Sequence, residues 1–162
     1  MPSYKVRPAV DSDAEAIASV HAASSRAAYE GLVPDQHDSL PMEKRRAFWR
    51  DAIEYSEPQV HVALDEAGAL VGFTGFDRSR DPKSRPTTGE IWALYVLPSH
   101  WNKGAGLALW DAAREGLVEE RNQGFGESVG QRPKAGAESS AEDEGLIHVP
   151  DLPEAVDRKS VV

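Results

Sequence analysis

Apolar residues along most of the chain recur with a period near 2 or near 3.6, the marks of half-buried strands and amphipathic helices. Tyr4 to Val10 predicts a first strand, ending in Arg7-Pro8. Asp11-Ser-Asp-Ala-Glu then offers a side-chain cap and an acidic first turn to a helix with Ile17, Val20 and His21 on one face. Ser24 to Tyr29 and Gly31-Leu-Val-Pro34 predict a bent helix and the loop after it. Pro41 opens a second helix, where its missing N–H costs nothing, and Phe48, Trp49, Ala52 and Ile53 form the apolar stripe. A hairpin follows: His61 to Leu64, a turn at Asp65-Glu-Ala-Gly68, and Ala69 to Phe76. A polar loop from Asp77 to Thr88 leads to a strand that begins at Glu90 and stops at Pro98. An amphipathic helix then runs to about Glu119. The order is strand, two helices, three strands, helix.

Patterning fails after Arg121. The segment to Val162 is rich in Gly, Ser, Pro and acidic residues, and Phe125 is its only aromatic. Such a composition buries too little apolar area to offset the ordering entropy. Gly145-Leu-Ile-His-Val149 makes at most one short strand and Gly124 to Val129 a weak one. The expected organisation is therefore a core over residues 1–120 and a disordered or unrelated tail over 121–162, whose origin is a reading-frame change, a fusion junction or a decayed end. The acidic run from Glu138 to Glu144 is expected to be solvated.

Chemistry concentrates between Glu90 and Arg114. The strand ends in Leu94-Tyr-Val-Leu-Pro98, a short polar turn follows, and Gly104 and Gly106 open a helix as G-x-G. The first amides of a helix lack intrahelical acceptors and sit at the positive end of its dipole, so a phosphate satisfies both. Glycine lets the backbone take unusual dihedrals and lets an anion approach closely. Lys103 adds a mobile positive charge; a plain tight turn with a solvated lysine is the alternative. A dinucleotide-binding turn is excluded, because its third small residue would fall at Leu109. A Walker loop is excluded too, for Gly-Lys is nowhere followed by Ser or Thr.

In this context the chain resembles the GCN5-related N-acetyltransferase (GNAT) superfamily, whose acetyl-CoA motif is Gln/Arg-x-x-Gly-x-Gly/Ala after a strand ending in a Leu-Tyr-Val-type segment and a proline. The corresponding residues are Trp101, Asn102, Lys103, Gly104, Ala105 and Gly106, after Leu94, Tyr95 and Val96. Trp101 departs from the usual Gln or Arg. The resemblance implies an α/β fold with a central mixed β-sheet flanked by helices. It covers about Tyr4 to Glu119; the family's fifth strand, its helix with Asn-x-x-Ala-x-x-Phe-Tyr, and its last two strands are missing or replaced.

The same resemblance implies transfer of an acetyl group from acetyl-CoA to a primary amine of a small molecule or protein. Glu90 corresponds to the carboxylate that takes the amine's proton, and burial would raise its pKa toward that task; a solvated residue at the mouth of the strand is the other reading. A backbone N–H near Val96 would polarise the thioester carbonyl. The tyrosine that protonates the leaving thiolate in many relatives has no counterpart, since no tyrosine follows Tyr95. The alternative function is therefore a truncated, noncatalytic remnant that binds acetyl-CoA or a partner protein. Tyr29 and Trp92 are candidates for the acceptor pocket, although both also suit the core.

Composition narrows the setting. The 162 residues are 40% hydrophobic, enough for one core, and no apolar run spans a membrane. No signal-like N-terminus is visible. There is no cysteine, hence no disulfide or thiol nucleophile, as suits the cytoplasm. A net charge of -9 argues against nucleic acid as a partner and favours a cationic, amine-bearing acceptor. The five histidines show no ligand spacing such as H-x-x-x-H, so no metal is expected. Ser24 and Ser25 lack a triad context. An unpaired sheet edge would favour a homodimer.

Overall fold

The computed structural model describes residues 2–31 and 40–123. Strand β1 is Lys5–Pro8, followed by helix α1 at Ala14–Tyr29 and helix α2 at Met42–Tyr55. Strands β2 (Gln59–Leu64), β3 (Leu70–Arg78) and β4 (Gly89–Val96) precede helix α3 at Ala105–Gln123. The sheet order is β1-β2-β3-β4, every described pair is antiparallel, and helices flank it. The sequence order of elements holds, and with it the α/β class.

Strand alternation sends successive side chains to opposite faces, and each face has its own core. Toward α1 and α2 lie Ile17, Val20, Trp49, Ala52, Val62, Phe73 and Ala93. Toward α3 lie Ala63, Val71, Val96, Ala105 and Leu109. Trp49, Phe73 and Leu109 are fully buried, each contributing about 2–3 kcal/mol against leaving it in water. The β2–β3 turn closes because Asp65 Oδ1 accepts the N–H groups of Ala67 and Ala69 at 3.0 and 2.9 Å.

Local expectations need four corrections. The first strand is shorter than Tyr4 to Val10, because a 3-10 turn at Asp11–Asp13 intervenes before α1. Asp13 does not cap α1. Its carboxylate turns back to the Val10 N–H at 2.9 Å and to Arg7 at 2.7 and 3.1 Å, contacts stronger than a neutral cap. Ser24 to Tyr29 is not a separate bent helix but the end of a continuous α1, where the buried Ser24 hydroxyl donates to the Val20 carbonyl. On α2 the buried stripe is Arg45, Trp49 and Ala52; Phe48 lies 37% exposed, its ring set edge-on to Trp49. The loop at Leu32 to Pro34, the strands expected near Gly124 to Val129 and Gly145 to Val149, and the acidic run lie outside the described residues.

Candidate active site

The turn after β4 is built by its own side chains. Pro98–His100 form a 3-10 turn, and the Trp101 indole N–H donates to the Val96 carbonyl at 2.7 Å, tying the turn to the end of the strand. Asn102 has φ 58° and Gly104 φ 96°. Gly104 is therefore required by backbone conformation, since an L side chain is strained there. Among the described residues a Cβ at Gly104 would meet nothing within 4 Å, so none of them crowds the turn there. The Ala108 N–H donates to the Gly104 carbonyl at 3.0 Å, closing the first turn of α3. The amides of Ala105, Gly106 and Leu107 precede that bond and lack intrahelical acceptors. Gly106 lies inside α3 rather than in the special turn geometry; its value is a small surface before those amides. Ala105 is fully buried, and Lys103 Nζ donates to the Ser99 carbonyl at 2.7 Å.

The outer edge of β4 continues from this turn. Leu97 donates its N–H to Val71 on β3, while the Val96 carbonyl takes the Trp101 indole. In an antiparallel ladder alternate residues point their backbone groups the same way. Leu94 and Val96 thus direct N–H and C=O away from β3, and no described strand pairs with them. Their side chains pack toward α3, whereas Tyr95 faces α1 and α2.

Glu90 stands at the other end of β4, opposite Asp77. Its carboxylate is held by Arg80: Nη2 donates to Oε1 at 2.7 Å and the Arg80 N–H to Oε2 at 2.9 Å. Burial pushes Glu90 up, but the hydrogen bonds and charge of Arg80 outweigh it and set the carboxyl below its usual range. The raised pKa expected from burial is thus reversed. Trp92 sits where the β3–β4 register shifts, its ring 4.5 Å from the Arg80 guanidinium carbon. Its indole N–H donates to the Arg78 carbonyl at 3.4 Å.

Tyr95 gathers a second group. Its ring lies 4.6 Å from His21 and 5.5 Å, stacked, from Phe73. Burial raises the Tyr95 hydroxyl and Tyr29 nearby adds to this, while a hydrogen bond with Ser25 and the charge of Arg45 oppose it. Tyr29, at the end of α1, is therefore beside Tyr95, and Trp92 is with Glu90. His21 is buried, its Nδ1 accepting the Trp49 indole N–H at 3.2 Å.

Elsewhere Asp77 and Glu120 are both raised by burial, and Gln59 donates to Glu120. A shallow groove lined by Ala52, Ile53, Val60 and His61 lies at β2, two strands from β4. Among the described residues no three His, Asp or Glu side chains gather as metal ligands, and no helix is long and apolar enough to cross a membrane.

Trp101, Asn102, Lys103, Gly104, Ala105 and Gly106 come together as one turn continuous with Leu94, Tyr95 and Val96, while Glu90 and Trp92 form a separate group at the start of the strand. Sequence reasoning missed Arg80 and Ser25. Arg80 lay in a polar loop with no motif; only the register, which pairs Arg78 with Gly89, brings it to Glu90.

The acetyltransferase (GNAT) family matches residues 25–129. The uncharacterized N-acetyltransferase YuaI of Bacillus subtilis (strain 168) is 34% identical over 115 residues. That stretch is 70% of this chain and 64% of YuaI, so the chain spans less than two thirds of this curated relative. Among solved structures, the PaiA N-acetyltransferase of Thermoplasma acidophilum in complex with coenzyme A has a TM-score of 0.61 at 20% identity, covering 73% of this chain and 74% of that one. A GCN5-related N-acetyltransferase from Ralstonia eutropha JMP134 has a TM-score of 0.59 at 23% identity, covering 73% and 78%. YncA of Salmonella typhimurium, solved with acetyl-CoA, has a TM-score of 0.53 at 24% identity, covering 75% and 64%. The likeness to these structures is one of fold.

Proposed function

The chain belongs to the acetyltransferase (GNAT) family, and on that premise we propose that it is an acetyl-CoA-dependent N-acetyltransferase acting on a primary amine. The observation that carries this reading is the positive-φ turn at Gly104, which starts α3 directly beside the outer edge of β4, where no described strand pairs. The donor set fits an anion followed by an amide-bearing arm. Amides of Ala105, Gly106 and Leu107 would hold the pyrophosphate, with Lys103 adding charge. The outward backbone groups of Leu94 would pair with the pantetheine amides as a strand does.

Acetyl-CoA supplies an acyl thioester whose carbonyl carbon bonds to the amine nitrogen as the carbon–sulfur bond breaks. The outward Val96 N–H would donate to the carbonyl oxygen as negative charge develops there. Glu90, at the other end of β4 from Val96, would accept the proton lost by the amine through a chain of waters. With no tyrosine after Tyr95, the leaving thiolate would take its proton from solvent. Tyr29 would line the acceptor side beside Tyr95. The net charge of -9 supports a cationic acceptor over nucleic acid, and the cysteine-free composition suits the cytoplasm. A noncatalytic coenzyme A binder is the second reading, favoured by the occupation of both Glu90 oxygens by Arg80.

Calorimetry with coenzyme A and a thiol-release assay with a panel of primary amines test the proposal. The full chain should bind coenzyme A and release thiol only with an amine present. Gly104→Val should lose at least about tenfold in affinity, because the strained turn no longer presents the amides. Equal binding by Gly104→Val would overturn the cradle; binding without thiol release would select the noncatalytic reading.

A further inference from the structure

Glu90 is already engaged by a cation of its own chain. Arg80 reaches it from the β3–β4 loop with two hydrogen bonds, at 2.7 and 2.9 Å, one to each carboxylate oxygen. The same guanidinium lies 4.5 Å from the centre of the Trp92 ring. A positive group is thus held between a carboxylate and an aromatic face, both of which attract cations. The Arg80 and Glu90 side chains keep 34% and 32% of their surface exposed, so a ligand can reach them.

We propose that this is the cation subsite of the acceptor, filled in the free protein by Arg80 as a stand-in. An alkylammonium group displaces the guanidinium and takes its place against Glu90 and beside the Trp92 ring. The consequence for chemistry rests on the acetyltransferase reading; the cation subsite does not. It selects basic alkylamines, which arrive charged at neutral pH, over arylamines and neutral nucleophiles.

The exchange is physically accessible. An ion pair this exposed biases an equilibrium by no more than about fivefold, and the incoming ammonium makes the same two kinds of contact. Because the ammonium brings its own positive charge to Glu90, the charge that holds the carboxyl low is exchanged and not removed.

Guanidinium ion is the probe, and the full-length Arg80→Ala chain is the host. In NMR spectra at matched ionic strength, millimolar guanidinium chloride should shift the Trp92 indole resonance of Arg80→Ala saturably. The unmodified chain should respond several-fold more weakly, by up to about fivefold, and Arg80→Ala with Glu90→Gln should not respond. In thiol-release assays with n-butylamine, Arg80→Ala should lower the amine KM several-fold without changing the acetyl-CoA KM. Guanidinium should compete with the amine. Arg80→Met, which keeps the aliphatic stem against Trp92, carries the same expectations if Arg80→Ala does not fold. No guanidinium binding to either variant overturns the subsite, and so does a lost kcat that guanidinium restores, since Arg80 would then position Glu90. Guanidinium binding without acetyl transfer to any amine keeps the subsite and removes the enzymatic reading.

Discussion

Asp13 shows how one carboxylate can be worth more than the helix cap that its position suggests. Arg7 hydrogen-bonds it, the Val10 N–H adds a third donor, and together they outweigh burial and hold the carboxyl below its usual range. A depressed carboxyl pKa stabilises the fold above the unfolded value of about 4, and that contribution is lost as pH falls through the folded value. Asp13→Asn should therefore cost about 1–2 kcal/mol at pH 7 in urea unfolding, with the gap closing below about pH 4. A gap that persists in acid would remove the ion pair as its cause. At the turn, Lys103→Ala should weaken coenzyme A binding only modestly, and less so at high salt, because the lysine is exposed and already bonded to Ser99. At Glu90 the expected result is that Glu90→Gln lowers turnover more than coenzyme A affinity. Equal turnover by the two proteins would assign Glu90 to a structural ion pair with Arg80.

On the scale of elements, α3 is held to the sheet by contacts that oppose ordinary helix propensity. A Cβ built at Gly116 comes within 2.6 Å of the Phe76 ring. Glycine to alanine in a helix normally gains about 1 kcal/mol, but forcing a methyl against a fully buried ring costs about 1–3 kcal/mol. The clash should win, and Gly116→Ala should destabilise by roughly 1 kcal/mol in urea. One turn later, burial raises Glu120, aided by the charge of Asp77. A raised carboxyl pKa costs stability above the folded value and not below the unfolded one. Glu120→Gln should thus stabilise the protein slightly, by about 0.5 kcal/mol at pH 7, with no gain near pH 3. Destabilisation at neutral pH would mean that the Gln59 contact outweighs burial.

For the whole molecule, the proposed coenzyme site joins one sheet edge to one helix terminus, so occupancy should stabilise the fold that creates it. At 100 times Kd a ligand that binds only the folded state adds about 2.7 kcal/mol, or roughly 5–10 °C in Tm for a chain of this size. Thermal unfolding with coenzyme A should show that shift in the unmodified chain and no more than about half of it in Gly104→Val at the same concentration. An equal shift in both would place the ligand away from the turn.

Much of this architecture was legible because its causes are local. Strand alternation, the Asp65 turn, Pro41 and the G-x-G after Pro98 each state a backbone preference within a few residues. They were enough to order the described strands and helices and to locate the glycine turn that opens α3. The tertiary structure alone decided which polar groups meet. Hairpin register carried Arg80 to Glu90 and reversed the direction of its pKa shift, and packing of α1 on the sheet set Ser25 and Tyr29 beside Tyr95. It also turned the Asp13 carboxylate from α1 back to Arg7. Charge pairing acts through space and leaves no periodic trace in sequence, so the electrostatics of the site became visible only once the strands were side by side.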